Sequence, residues 1–263
     1  MNKFLTLLLT AFILFSCGKD KKDNPEEVKT EEIPALAFTE KTYYKKTSLP
    51  CSDPCPSVKI TVPIAENTPV VADSINKKIF NTVRSIIYFG EKPYTAENYE
   101  DLMASFMGSY EELKKEFPND MMTGYDGKVE ATVDYKTDSI IGVKINHYTY
   151  TGGAHGYEGN RSLLFDPATG KSLTYNDIFT DVDAFTKYAE KKFREKFNIP
   201  AGKSINATGF FFENDKFVLP LNIFFKENGL LLFYNSYEIS SYAEGRKELL
   251  LPYNEINQYL KLK

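Results

Sequence analysis

The chain has 263 residues, with 32 Lys and Arg against 36 Asp and Glu, and a formal net charge of −4 at pH 7. Acidic and basic residues are interspersed, and no basic cluster carries the interleaved aromatic residues of a strand-binding platform, which argues against a nucleic-acid partner. Aromatic residues make up 14% of the chain but Trp is absent, which counts modestly against a carbohydrate-binding module, since sugars often stack on Trp.

Residues 1–16 have the pattern of a bacterial lipoprotein signal peptide. Lys3 precedes an apolar run over 4–15 that is too short to span a bilayer. The run ends in Leu14-Phe15-Ser16-Cys17, which resembles a lipobox. The sequence therefore predicts palmitate-type lipidation of Cys17, where two or three acyl chains would give stable anchoring. The alternative is a plain secretory signal that leaves Cys17 as a free thiol.

Residues 17–37 begin with a polar and charged stretch that has almost no apolar residue before about Ile33, and such a composition cannot bury enough apolar surface to fold. We expect a flexible tether here. Together with a lipidated Cys17, it predicts a protein of the bacterial cell envelope, anchored by lipid in the outer membrane and facing the periplasm or the cell surface.

Cys51 and Cys55 are the two cysteines that remain. They flank a Ser-Asp-Pro turn, and an exported protein permits disulfides, so we expect a structural bond between them. A redox or metal-binding pair is the alternative. Redox pairs are separated by two residues rather than three, and no further ligand lies nearby in the sequence.

The first half predicts two strands, at 43–48 and 58–63, followed by two helices. Apolar residues recur at helical spacing over 70–88 and again over 96–117. Thr95 is the expected N-cap of the second helix, and Pro118 follows its end. The aromatic stripe of this helix is expected in the core.

Strands dominate the second half. Residues 127–136 and 140–150 alternate and predict a hairpin, and a third strand is expected at 161–165. A helix near 182–197, capped by Thr180 or Asp181, precedes short strands at 210–212, 216–219, 230–234 and 247–251 and a last helix carrying Ile256, Tyr259 and Leu260. This order favours an α+β fold, with antiparallel sheets, helices packed on one face and two closely associated subdomains, 38–137 and 138–263.

Both histidines of the chain, His147 and His155, lie in the segment 146–159, which is rich in Gly and Tyr. Glycines permit sharp turns, and amphipathic Tyr rings suit a binding surface. The candidate ligand-binding residues are Tyr150, Gly152, Gly153, His155, Tyr157 and Glu158.

Three other interpretations of this segment stay open. A metal site would use His155, His147, Glu158 and Asp166, although the spacing matches no familiar ligand pattern. A hydrolase would pair His155 with Ser162 or Glu158, without a nucleophile elbow to orient them. In the third interpretation the segment is a hairpin connection in which the His155 imidazole bonds the backbone. No catalytic residue, metal or cofactor is assigned.

The sequence also resembles a known pair of extracellular domains. The runs YTGGAHG (150–156), LFD (164–166), TGKSL (169–173) and DIF (177–179) are similar to the start of the extracellular domain of the lysozyme-sensing anti-sigma factor RsiV. The runs FVL (217–219), GLLLFY (229–234), YEI (237–239), YAEG (242–245) and LLPY (250–253) are similar to its end. The N-terminal half, with PSVKI (56–60) and the Ile75-Asn76 helix, resembles the preceding domain there and in the peptidoglycan deacetylase PdaC.

The resemblance implies a non-enzymatic envelope-binding module with lysozyme or peptidoglycan as candidate ligands. It transfers no catalytic residue, because we expect neither the deacetylase domain of PdaC nor the spanning and sigma-binding segments of RsiV. The alternative function is a metal-assisted hydrolase that acts on cell-wall or glycan material through His155.

Overall fold

The computed structural model describes residues 35–87, 95–118 and 124–262. The predicted signal peptide, Cys17 and all but the last residues of the predicted tether lie outside these ranges. The fold is α+β, as expected, with a sheet of five strands, a sheet of three strands and helices on their outer faces.

The five-stranded sheet has the strand order β1-β2-β3-β4-β5, and every neighbouring pair is antiparallel except β2 and β3. A parallel pair needs a crossover, which here contains two helices, α1 and α2. The strands are β1 (Ala37–Lys46), β2 (Ser57–Glu66), β3 (Asp126–Lys136), β4 (Ile141–Tyr150) and β5 (Tyr157–Phe165), and the helices are α1 (Pro69–Ile87) and α2 (Tyr99–Glu116).

The helix-side core lies between α1, α2 and one face of this sheet. Each helix buries residues spaced three or four apart, and each strand contributes alternate residues, as the two periodicities require. Its aliphatic side chains include Ile75, Ile79, Leu102, Ile60 and Ile145, all fully or almost fully buried.

The three-stranded sheet is an antiparallel meander of β6 (Asn222–Lys226), β7 (Gly229–Tyr234) and β8 (Lys247–Pro252). Three helices accompany it: α3 (Tyr175–Ile178), α4 (Val182–Lys196) and α5 (Tyr253–Ile256). They enclose an aromatic core in which Phe185, Phe193 and Phe225 are buried.

Side chains from the second half satisfy the outer edge of β5. The Asn235 side chain accepts from the Asn160 N–H at 2.7 Å and donates to the Asn160 carbonyl at 3.1 Å. The Asn222 side chain accepts from the Ser162 N–H at 3.0 Å. An unpaired sheet edge is a site for pairing with other chains, and these asparagines occupy it in place of a sixth strand.

The predicted boundary between the two subdomains, at 137 and 138, falls at the turn between β3 and β4, which belong to one sheet.

The disulfide between Cys51 and Cys55 is confirmed. The Glu111 carboxylate of α2 holds the base of its loop, accepting from the Thr47 hydroxyl at 2.9 Å and from the Ser48 N–H at 2.6 Å. These hydrogen bonds to the charged form lower the pKa of Glu111, the backbone bond being the largest cause.

Two expectations about helix ends have different outcomes. Asn98, not Thr95, caps α2, because its side-chain oxygen accepts from the Asp101 N–H at 2.8 Å. Asp181 caps α4 in the same way through Ala184 at 2.9 Å, as one of the two expected residues. The expected last helix is only the four-residue α5 followed by a short 3₁₀ turn.

The strand expectations at 210–212 and 216–219 were wrong, and β6 was not predicted. Asn206 takes the place of a neighbouring strand there: its side chain accepts from the Phe212 N–H at 2.7 Å and donates to the Phe212 carbonyl at 2.9 Å. β5 also begins four residues earlier than predicted, at Tyr157. Gly and Asn disfavour strands, but pairing with β4 outweighs that preference.

Candidate functional site

The connection between β4 and β5 is the glycine-rich segment that the sequence singled out. Gly152 has a φ of 109° and Gly153 a φ of 89°, and the space around both is open. Such backbone angles favour glycine because a Cβ atom would be strained there. The Tyr150 hydroxyl donates to the Gly153 carbonyl at 2.9 Å, which fixes the tip of the connection.

His155 stacks on a tyrosine from a distant part of the chain. Its ring lies 4.4 Å from that of Tyr242, with 16° between the planes, and Tyr242 lies 5.4 Å from Tyr237 at 30°. The His155 Nδ1 donates to the Gly156 carbonyl at 2.8 Å, since a carbonyl can only accept. We call His155, Tyr237 and Tyr242 the aromatic platform; Tyr237 is 51% exposed and Tyr242 40%.

Tyr237 holds an unusual backbone conformation, with a φ of 69°. A bulky residue in the left-handed region is strained, and such strain is concentrated at functional sites. The surrounding turn is held by Glu238, whose carboxylate accepts from the Asn235 N–H at 2.8 Å and the Leu221 N–H at 3.1 Å. The turn therefore presents the Tyr237 ring to solvent at a cost in stability.

A polar cavity of about 300 Å³ adjoins the platform. It is lined by Glu158, Asn160, Asn235, Ser236, Tyr242 and Arg246. Asn160 and Asn235 are buried and bonded to each other through the pair of hydrogen bonds at the β5 edge. The cavity thus combines the Asn235 amide, the Glu158 carboxylate, the Arg246 guanidinium and the Tyr242 ring. Such a mixture is typical of sites that bind small polar groups.

The structure places the six predicted ligand-binding residues in four different positions. His155 is in the platform and Glu158 lines the cavity. Gly152 and Gly153 lie at the exposed tip, where the Tyr150 hydroxyl is already bonded within the connection. Tyr157 faces the other side of the sheet, with its ring 5.8 Å from that of His147.

The sequence did not reveal the residues that complete the site. Tyr237, Tyr242, Asn235 and Arg246 lie about 80 residues further along the chain, and no spacing rule connects them with the glycine-rich segment. Two signals were present: the runs around Tyr237 and Tyr242 belong to the quoted resemblance, and three tyrosines lie within nine residues from Tyr234.

His147 occupies a buried position on the helix side of the sheet. Neither of its ring nitrogens has a hydrogen-bond partner among the residues that the structure describes. Burial, with a smaller contribution from the positive charge of Arg161, lowers its pKa to about 4. A Cβ atom on Gly159 would lie 2.6 Å from the His147 Nε2, so only glycine leaves room for this ring.

The four residues of the metal interpretation are not brought together among the described residues, and Ser162 of the hydrolase interpretation is bonded elsewhere. His147 and His155 lie on different sides of the sheet, and the Asp166 carboxylate accepts from the N–H groups of Ala168 and Thr169 at 2.7 and 3.2 Å. The Ser162 hydroxyl donates to the Ile223 carbonyl. Within 35–87, 95–118 and 124–262, no group of three or more His, Cys, Asp or Glu could hold a metal ion.

No helix among the described residues is long and apolar enough to cross a membrane. No curated protein matches the chain.

Solved structures that share the fold include two DUF3298 proteins. A DUF3298 family member from Bacteroides fragilis is 23% identical, with a TM-score of 0.61 and coverage of 87% of this chain and 94% of that one. A DUF3298 family protein from Pseudomonas aeruginosa is 19% identical, with a TM-score of 0.61 and coverage of 87% and 96%.

Two family models match successive parts of the sequence. Residues 50–158 match the model described as deacetylase PdaC, and residues 176–254 match a family described as protein of unknown function, DUF3298. The platform takes His155 from the first match and Tyr237 and Tyr242 from the second. The sequence is therefore similar to a PdaC-type region followed by a DUF3298 region, a combination that indicates an extracellular or cell-envelope domain of unknown function.

Proposed function

We propose that this protein is a lipoprotein of the bacterial cell envelope, anchored through Cys17, that binds peptidoglycan or lysozyme without catalysing a reaction. One observation carries the proposal: His155, Tyr242 and Tyr237 stack into an exposed platform beside a polar cavity. The RsiV-like and PdaC-like resemblance of the sequence supports the choice of ligands.

The platform suits a sugar ring next to polar substituents. Exposed aromatic rings that adjoin one another are uncommon on a surface without a binding role. A sugar presents one face of C–H groups, which can lie on an aromatic ring, while its hydroxyl and acetamido groups need hydrogen bonds. The carboxylate of Glu158 and the guanidinium of Arg246 line the adjacent cavity and supply acceptors and donors. Peptidoglycan fits this arrangement, and tyrosine and histidine take the role that Trp has in many sugar sites.

Co-sedimentation with insoluble peptidoglycan and calorimetry with lysozyme test the two ligands separately. Tyr242→Ala is expected to weaken binding of the true ligand about tenfold, because it removes the central ring of the platform. Tyr44→Ala is the matched control, since Tyr44 is 60% exposed on β1, away from the platform. Failure of both ligands to bind the wild-type protein would remove both from consideration.

Lipidation is tested by mass spectrometry of the membrane-bound protein. We expect an acylated N-terminal Cys17 and loss of membrane attachment in Cys17→Ala. An intact residue 1–16 leader on the mature protein, or a free Cys17 thiol, contradicts the anchor.

Enzymatic activity is tested by incubating the protein with peptidoglycan and assaying released soluble fragments, with metal content measured in parallel. We expect no release above that of a His155→Ala variant. Release that depends on His155 and on a stoichiometric metal would favour the hydrolase instead.

A further inference from the structure

The second face of the five-stranded sheet is divided into a covered end and an open end. At the covered end, Ile140 and Leu164 are buried in the aromatic core. At the open end, polar side chains of β3, β4 and β5 line a groove of about 510 Å³. On the opposite side, Phe224, Leu231 and Phe233 form an apolar wall, flanked by the charged Lys226, Arg246 and Glu248. One side thus offers charges and amides, and the other offers three apolar side chains beside further charges.

Most charged side chains of the groove are neutralised within the protein. The ion pairs are Lys128–Glu130 at 3.4 Å, Lys226–Asp134 at 2.7 Å and Arg246–Glu248 at 3.0 Å. Lys144 and Glu158 also line the groove, but neither forms an ion pair with any described residue. The Lys144 Nζ lies 6.0 Å from the centre of the Phe224 ring. The groove therefore has one unpaired cation and one unpaired anion.

The strand register sets the separation of the two residues along the sheet. Lys144 is opposite Ser162, and Glu158 is opposite Tyr148, so four residues along β5 separate the two positions. At about 3.4 Å per residue, the two backbone positions are about 14 Å apart along the strand. Asn146 lies between them, exposed and opposite Asn160. A free side-chain amide offers one acceptor and two donors, the complement of a peptide group.

We propose that this groove binds a short extended peptide of about four residues, its free carboxylate on Lys144 and its free ammonium group on Glu158. Charges of opposite sign at the two ends exclude a dication or a dianion as the fitting ligand. Asn146 faces the peptide backbone, and the apolar wall takes side chains.

The groove and the cavity beside the platform share Glu158, Asn160 and Arg246. The two sites are therefore adjacent. A peptide that is joined to a sugar through its N-terminus has no free ammonium group for Glu158, so the ligand of the groove is a free peptide. The inference therefore goes beyond the proposed function and does not rest on it.

Calorimetry of the full chain with tetraalanine, N-acetyl-tetraalanine and tetraalanine amide tests the proposal. Each blocked form is expected to bind about fivefold more weakly than tetraalanine, the size of effect of one partly exposed ion pair. Lys144→Gln should abolish the difference between acid and amide and keep the sensitivity to acetylation. Glu158→Gln should do the reverse.

Lys59→Gln and Glu40→Gln are the matched controls, exposed on β2 and β1 outside the groove, and both should keep the wild-type preferences. No saturable binding of tetraalanine up to about 10 mM, or blocking effects that survive in Lys144→Gln and Glu158→Gln, would overturn the proposal.

His155→Ala separates the two proposals. It should weaken sedimentation with peptidoglycan and leave tetraalanine binding unchanged, since His155 does not line the groove. Charge-dependent peptide binding without any peptidoglycan binding would sink the proposed function alone. Peptidoglycan binding with no charge-dependent peptide binding would sink the groove alone.

Discussion

The two cores of the molecule are built from different side chains and in different ways. The helix-side core takes mainly Val, Ile, Leu and Met from helices and strands at regular spacing. The aromatic core centres on Phe193, whose ring lies 4.4 to 5.8 Å from those of five others: Phe197, Phe210, Phe212, Phe217 and Tyr234. Three of these rings, from Phe210, Phe212 and Phe217, come from segments without helix or strand.

The difference shows two ways of closing a core. Regular elements present a continuous apolar face, so that modest aliphatic side chains fill the space between them. Irregular segments present no continuous apolar face, and large aromatic rings then fill the wider spaces between neighbouring segments. Their backbone groups need partners as well, and side-chain amides such as that of Asn206 supply them.

The largest expected effect is at the centre of the aromatic core. Phe193→Ala should lower the free energy of unfolding by about 4 kcal/mol, because it opens a cavity against five rings. Ile75→Val in the helix-side core should cost about 1 kcal/mol. Denaturant unfolding measures both. Phe211→Ala is the control, since Phe211 is 49% exposed; equal losses for Phe193→Ala and Phe211→Ala would refute a ring-centred core.

The pH dependence of stability tests the burial of His147 on the helix side of the five-stranded sheet. The pKa of His147 is about 4 in the folded chain, below the value of about 6.5 for an unfolded chain. Between pH 4 and pH 6.5 the unfolded state therefore binds more protons than the folded state. The stability that neutral His147 contributes is fully present above pH 6.5 and is lost as the pH falls toward 4. The contribution is about 3 kcal/mol.

Unfolding free energies of the wild type and His147→Leu at pH 7 and pH 4 isolate this contribution. The wild type should lose about 3 kcal/mol more than the variant over this interval. His155→Ala, which changes the exposed histidine, should keep the wild-type loss. A His147→Leu protein with an unchanged pH dependence would show that His147 is not the group responsible.

The amide that joins the two halves should have a smaller effect. Asn235→Ala leaves the Asn160 N–H and carbonyl without their partner and is expected to cost about 2 kcal/mol. Asn76→Ala should cost a similar amount within the first half, since the Asn76 amide bonds both backbone groups of Ala65. Asn254→Ala, an exposed position, serves as the control in denaturant unfolding. A cost at Asn76 but none at Asn235 would mean that the halves are joined by other contacts.

The smallest expected effect is a gain in stability at the platform. Tyr237→Asn should raise the free energy of unfolding by about 0.5 kcal/mol, because Asn tolerates the left-handed conformation better than Tyr. The same variant should weaken ligand binding, which co-sedimentation measures. Lower stability in Tyr237→Asn would show that the stacking of Tyr237 on Tyr242 outweighs the backbone strain.

Much of the first half was predictable because its signals are local. The helical stripe of α1, the alternation of β3 and β4 and the turn between Cys51 and Cys55 each depend on neighbouring residues. The N-cap of α2 was misassigned by three residues. Thr95 and Asn98 have similar capping chemistry, and the apolar pattern does not fix the residue at which the helix begins.

The second half was harder to predict for a physical reason. The segment 210–219 alternates like a strand, but its hydrogen-bond partners are the Asn206 side chain and the Ile239 carbonyl rather than a neighbouring strand. β6 has four buried residues in succession, Asn222–Phe225, and so lacks the two-residue alternation of a half-exposed strand.

By itself, the sequence determined the α+β class, the main helices and strands of the first half, the disulfide and the segment around His155, because these depend on residues close in the chain. Only the tertiary structure decided that His155 stacks on Tyr242, that His147 is buried on the other side of the sheet, and that Lys144 and Glu158 share one groove. Those contacts join residues brought together by strand pairing and by the amides at the β5 edge, and no local pattern encodes a meeting of such distant residues.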